Sequence, residues 1–251
     1  MAEQYTDLKI IRKFNLDSSI CFAALYSGDI DAYVEYTGTA LHQVLKVTTD
    51  VPSQEGYEKV KKIFQDKFQL EWLHPFGFEN AYAILLKKET AEKYKMSNLS
   101  HLADCLPASQ GLRIGFDQEF FSREEYRLLR NKYQFCPQKA PLLMDHALLY
   151  LSLDNNNIDI MNGYATDGFI IKYNLAVLED DKQFFPSYLA APVVRQSILQ
   201  QHPNLREIFN LLSDRITAKQ MQTLNFEVEV QGKTVHQAAY NFLKNLNLIC
   251  R

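Results

Sequence analysis

The stretch Ala24–Ala40, ALYSGDIDAYVEYTGTA, has a counterpart at Leu151–Gly168, LSLDNNNIDIMNGYATDG. With an offset of 128 positions, Leu25, Ile30, Asp31 and Tyr36 fall on Leu153, Ile158, Asp159 and Tyr164. Each copy reads as a helix end, a polar turn, a short apolar strand and then a tyrosine. Strands that alternate with helices point to an α/β chain with mainly parallel sheets. Such sheets bind ligands beyond the carboxyl ends of their strands, and each copy puts a tyrosine there. The repeat predicts two equivalent lobes facing each other across a cleft. Four identities in twelve positions are equally compatible with two tyrosines that only cap strand edges.

Outward from the first copy, LKIIRKF (8–14) reads as a strand, and 17–28 as a helix with a Ser/Asp start and a Gly stop. IDAYVE is the next strand, and YTGT turns into a helix, ALHQVLK. An amphipathic helix from Ser53 to Phe68 places Val60, Ile63, Phe64 and Phe68 on one face. LEWLH (70–74) is a strand broken by Pro75 and Gly77. A second block follows: strand AYAILLKK, helices over 89–95 and 98–104, strand LRIGF, and helix REEYRLLRNKY. It continues with helix MDHALLYLSL, strand IDIMN, a short helix in TDGFIIKY capped by Thr166 or Asp167, and strand LAVL (175–178). After Pro186, YLAAPVVR reads as a strand that re-enters the first block, followed by helices PNLREIFNLLSD, TAKQMQTLN and TVHQAAYNFLKNL.

A chain of 251 residues has room for one large domain or two small ones. Its hydrophobic share of 47% and charged share of 23% are those of a globular protein. A net charge of −3 with scattered Lys and Arg excludes a nucleic-acid footprint; KVKK at 59–62 is the polar face of a helix. No apolar run approaches the ~18 residues that span a bilayer, and MAEQYTDLKII has no signal-peptide pattern. Cys21, Cys105, Cys136 and Cys250 form no CxxC pair, and the six histidines show no metal-ligand spacing. Neither a metal nor a cofactor is expected; buried free thiols are the first expectation for the cysteines and disulfides the alternative.

The stretches ALYSGDIDAYVEYTGTAL, GFENAYAILLKKETAEKY, NGYATDGFIIKYNLAVLEDDKQFFPSYLAAPVVR and GKTVHQAAYNFLKN resemble one family along nearly the whole chain. It is the quaternary-amine, or osmoprotectant, substrate-binding proteins of ABC importers, which take glycine betaine, carnitine, choline and related compounds. The resemblance implies an α/β, two-lobed, periplasmic-binding-protein-like (type II) fold hinged by two crossovers, near 74–80 and 178–188. Lobe one is then 1–76 with 187–251, and lobe two is 77–186. It implies a monomeric solute-binding component rather than an enzyme, an ABC permease as partner in a separate or fused chain, and an extracytoplasmic location.

By the same resemblance, Tyr36, Tyr82, Tyr164 and Tyr188 form a cage for the cation. Arg123 and Thr39 are implied for the ligand's carboxylate, and Asn80 as orienting the cage. The physics suits this ligand class. A trimethylammonium group has no hydrogen-bond donors, and each desolvated cation–π contact contributes about 1–2 kcal/mol. An Arg fork can donate two parallel hydrogen bonds to a carboxylate.

The sequence also departs from the family. It starts where the family's first helix ends, so the family's N-terminal strand is expected to be missing from lobe one. DSS (17–19) replaces a glycine-rich turn, and the loop after Arg123 is short. A truncated, non-binding relative is therefore one alternative. An enzyme on the same fold is another; His101 and Cys105, four residues apart, are its nearest approach to a catalytic pair, and also read as a surface imidazole and a packed thiol. A ligand-sensing regulator would need a helix-turn-helix segment that the sequence lacks.

Overall fold

The computed structural model describes residues 1–14, 16–47, 53–105, 111–122 and 124–249. Its strands are β1 (Ala32–Tyr36), β2 (Leu70–Trp72), β3 (Tyr82–Lys87), β4 (Ile114–Asp117), β5 (Leu142–Met144), β6 (Ile160–Tyr164), β7 (Leu175–Val177) and β8 (Ala190–Arg195). Two compact units share them. Unit 1 comprises Met1–Asn80, Pro186–Leu224 and Lys233–Arg251, and unit 2 comprises Ala81–Phe185 and Asn225–Gly232.

Unit 1 holds a three-stranded sheet in the order β1-β8-β2, with β8 antiparallel to both neighbours. The helix Ser53–Phe68 lies on it because its apolar positions recur at helical spacing: Tyr57, Val60 and Phe64 are buried. The Phe64 and Trp72 rings meet edge to face at 5.5 Å, a contact that contributes about 0.5–1.5 kcal/mol beyond the buried area. The helix Ser18–Ser27 starts where Asp17 accepts the Ile20 amide and ends at Gly28, whose φ of 92° is the left-handed conformation glycine adopts without strain.

One expected strand is absent. Residues 8–14 carry no strand pairing, and two of their backbone donors are used locally. The Leu8 amide donates to Thr6 Oγ1 and the Ile10 amide to Glu3 Oε1. Apolar alternation predicts which face a strand would bury, but a strand also needs a ladder, and here none forms. Ile11 is left 82% exposed.

Unit 2 holds a five-stranded mixed sheet in the order β5-β4-β6-β3-β7. Its β4 runs parallel to β5 and β6, whereas β3 is antiparallel to β6 and β7. The expectation of mainly parallel sheets is thus corrected. Parallel neighbours need a crossover connection. Strands β3 and β8 each lie just after the chain has changed units, so no strand–helix–strand step from their own sheet leads into them. Two clusters form its core, an aromatic-rich one around Phe116, Phe120, Tyr126 and Leu129 and a mainly aliphatic one around Leu85, Leu149, Tyr150 and Met161.

The helix Phe169–Lys172 is also capped differently from expectation: Gly168 stands at its N-cap, with no side-chain cap. Asp167 is engaged elsewhere, as described below, and the carbonyl of Thr166 accepts from Asn225 Nδ2. Gly168 is required by a close approach, since a Cβ there would lie 2.5 Å from the Phe226 amide nitrogen.

Candidate aromatic ligand site

In unit 2, strand register brings two of the four tyrosines together. Tyr82 and Tyr164 are cross-strand partners on β3 and β6, and their rings stack at 4.9 Å with an interplanar angle of 25°. Tyr82 is 9% exposed, backed by Phe120 at 5.0 Å. Tyr164 ends β6, and His146 stands 5.4 Å from its ring. Because β4, β5 and β6 run parallel, Asp117, Tyr164 and the start of the helix His146–Asp154 lie at one sheet edge, the carboxyl ends of the strands. A cavity of about 380 Å³ opens there.

The electrostatics of this edge are concentrated in three side chains. Asp167 Oδ2 accepts the Tyr164 amide at 2.8 Å and the Tyr150 hydroxyl. Asp117 accepts the Phe120 amide at 2.7 Å, and its carboxylate is bonded by the Asn162 side chain. His146 lies between the two carboxylates, with Nδ1 3.8 Å from Asp117 and Nε2 3.4 Å from Asp167. Those two acids, Asp117 first, raise the imidazole pKa to about 9 against the resistance of burial. Burial pushes the Asp117 carboxyl up, but His146, Phe120 and Asn162 outweigh it and hold the carboxyl below its ordinary value. Neither His146 nor Asp117 stood out in the sequence, and Asp167 was read only as a helix cap; the MDHALLY segment reads only as a helix.

In unit 1, the segment that follows β1 organises the other two tyrosines. Thr37 Oγ1 donates to the Ser187 carbonyl and accepts the Leu189 amide. The Thr37 amide donates to the Leu189 carbonyl. These bonds set Tyr188 over Gly38, where a Cβ would meet Tyr188 Cε1 at 2.6 Å. Half-buried Tyr36 packs with Phe76, Phe78 and Ala190, and burial, followed by the charge of Glu35, raises its hydroxyl pKa. The Asn80 amide donates to the Tyr188 carbonyl at 3.1 Å, tying Asn80 to the second tyrosine. Thr39 is half-buried at the end of the turn Thr37–Thr39. Arg123 lies outside the described residues.

The family of the substrate binding domain of ABC-type glycine betaine transport system (OpuAC) matches residues 2–245. The chain belongs to this family. It is therefore a substrate-binding component of ABC-type osmoprotectant import. A carnitine transport binding protein, OpuCC of Listeria monocytogenes, is 34% identical over 251 residues, which span 98% of this chain and 80% of that protein. The ergothioneine transport permease/ergothioneine binding protein EgtU of Helicobacter pylori is 36% identical over 226 residues, 90% of this chain but 40% of that protein. A crystal structure of a glycine betaine/carnitine/choline ABC transporter superposes with a TM-score of 0.86 at 35% identity, over 92% of this chain and 85% of that one. The α/β architecture is thus that of the two-lobed binding proteins.

The alternative of an enzyme finds no support in the one pair considered for it. The His101 ring nitrogen pairs with Ser97 Oγ, and Cys105 Sγ points to the Tyr94 carbonyl. Cys21, Cys105 and Cys136 are free thiols, and Cys250 lies outside the described residues. Among the described residues no helix is long and apolar enough to cross a membrane.

Proposed function

We propose that this family member binds a quaternary ammonium solute and delivers it, without chemical change, to an ABC permease on the outer side of a membrane. Tyr82 and Tyr164 of unit 2 and Tyr36 and Tyr188 of unit 1 hold the cationic head; Thr39 and Arg123 serve the carboxylate of zwitterionic ligands, and Asn80 steadies Tyr188. The observation that carries this reading is the register-paired stack of Tyr82 on Tyr164 at the carboxyl end of β6. Tyrosine faces attract a diffuse cation that cannot donate hydrogen bonds, and they exclude water around it. The permease partner is supported by a relative in which the transport permease and the binding protein carry one name.

Calorimetry with glycine betaine, and with the analogue whose trimethylammonium group is replaced by an uncharged tert-butyl group, tests the reading. Betaine should bind and the neutral isostere should not. Replacing any one of the four tyrosines by Leu should cost about 1–2 kcal/mol, and by Phe much less. Equal affinity for both compounds, with harmless Leu substitutions, would leave the tyrosines as packing residues. Arg123→Ala should weaken betaine by roughly ten- to a hundredfold and choline hardly at all.

A further inference from the structure

We infer that His146, as an imidazolium clamped between Asp117 and Asp167, is the positioning residue for Tyr164, so that ligand affinity depends on the charge of His146. The inference rests on the role proposed above for Tyr164.

Three strand ends meet at this spot. Asp117 terminates β4, His146 stands two positions after the end of β5, and Asp167 belongs to the turn after β6. Asp167 fixes Tyr164 directly, because the carboxylate oxygen that accepts the Tyr164 amide also faces His146 Nε2 at 3.4 Å. The imidazole ring is in turn packed against the rings of Tyr164 at 5.4 Å and Tyr150 at 5.5 Å. Its Nδ1 is buried and lacks a hydrogen-bond partner, with the Asp117 carboxylate 3.8 Å away. A neutral imidazole would leave two partly buried carboxylates facing each other without a counter-charge, a costly arrangement in low dielectric. A protonated one links the β4 end to the turn that carries Tyr164.

The other charged groups around the imidazole add to the same sign. Asp145 precedes His146 on its own element, and Glu119 lines the same cavity from the helix after β4. Glu229, from the segment that returns to unit 2, feels both Asp167 and His146. All are acids, and no cation other than His146 lines the cavity among the described residues. Tyr150, whose hydroxyl donates to Asp167, is held protonated by burial and by that acid. Among the described residues that line the cavity His146 alone can carry a positive charge. The proton on His146 is the variable.

The test uses choline, whose charge is fixed at every pH, and the full 251-residue chain. In the unaltered protein, affinity measured by calorimetry should fall about tenfold between pH 6.5 and about pH 10. His146→Gln should bind weakly and without this pH dependence, and His146→Lys, which keeps a charge to higher pH, should hold its affinity across the range. Ligand-free NMR with ring-labelled tyrosine, Tyr164 being assigned from its Phe variant, should show the Tyr164 resonance titrating at the midpoint of the His146 imidazole. That titration should vanish in His146→Gln. The inference is overturned if His146 titrates while Tyr164 stays still, or if His146→Gln binds choline with the affinity and pH profile of the unaltered chain. Should the unaltered chain bind no quaternary amine, the cation reading fails, and the NMR coupling alone decides the role of His146.

Discussion

Glu35 has none of its surface exposed, while its neighbour Val34 is 43% exposed. The strand has turned the polar side chain inward and the apolar one outward. Alternation explains it, since Tyr33 and Glu35 share one face of β1 and Val34 the other. The buried carboxylate is satisfied by the Tyr33 hydroxyl, the Tyr36 amide and the Ser18 hydroxyl. Burial nevertheless raises its pKa. A carboxyl whose folded value lies above its unfolded one contributes its full stabilisation at low pH and loses it as pH rises through the folded value. Glu35→Gln keeps the shape without the charge, so urea titrations should show equal or higher stability at neutral pH and a flatter dependence on the acid side. Glu35→Leu strands the Tyr33 hydroxyl and the Tyr36 amide, and should cost about 1–3 kcal/mol for each. His146 gives a profile of the same sign, displaced to alkaline pH. Its stabilisation of unit 2 is complete below about 6.5 and is lost as pH rises through about 9. His146→Gln should remove that alkaline slope from thermal melts. The placement of Tyr36 and Tyr164 at the ends of β1 and β6 was legible from the repeat. The roles of Glu35 and His146 were not: strand alternation alone does not mark the burial of Glu35, and the acids beside His146, Asp117 and Asp167, lie 29 and 21 positions away, which no local pattern encodes.

Among the elements, those with strong periodicity or clear caps were read correctly: Ser18–Ser27, between its Asp17 and Gly28 caps, and the amphipathic Ser53–Phe68 and Val235–Asn245 all form helices. The last even carries a capping box between Thr234 and Gln237. Elements that depend on a partner were the ones misread. Segment 8–14 has the alternation of a strand but no ladder, and Asp167, a plausible helix cap, is drawn instead to the Tyr164 amide and the Tyr150 hydroxyl. The turn Thr37–Thr39 shows how one small residue governs a large one. Gly38 is flush against the Tyr188 ring, so Gly38→Ala must displace that ring. If Tyr188 holds ligand, calorimetry on this variant should record a loss of betaine affinity of about tenfold or more with only a small fall in melting temperature. Unchanged affinity would take Tyr188 out of the site.

At the scale of the molecule, β8 is the middle strand of the unit 1 sheet, yet it belongs to the segment that follows unit 2 in the chain. Among the described residues β1 and β2 pair only with β8, so neither has a sheet partner until it arrives. Thr37 and Leu189, bonded across this gap, are 152 residues apart. Unit 2 lacks only the short segment Asn225–Gly232 once Phe185 has been made. The consequence concerns the order in which a ribosome releases the parts. At roughly 5–20 residues per second, the early strands of unit 1 wait on the order of ten seconds, with apolar faces uncovered, for the strand that closes their sheet. Unit 2 assembles in the meantime from neighbours already in hand. The unfinished first sheet is then the vulnerable species of biosynthesis, the one that holdase chaperones should recognise. Pulsed hydrogen exchange on the refolding chain should find β3 and β6 amides protected before those of β1 and β2. Simultaneous protection would mean that the distant strand pairs as fast as the near ones.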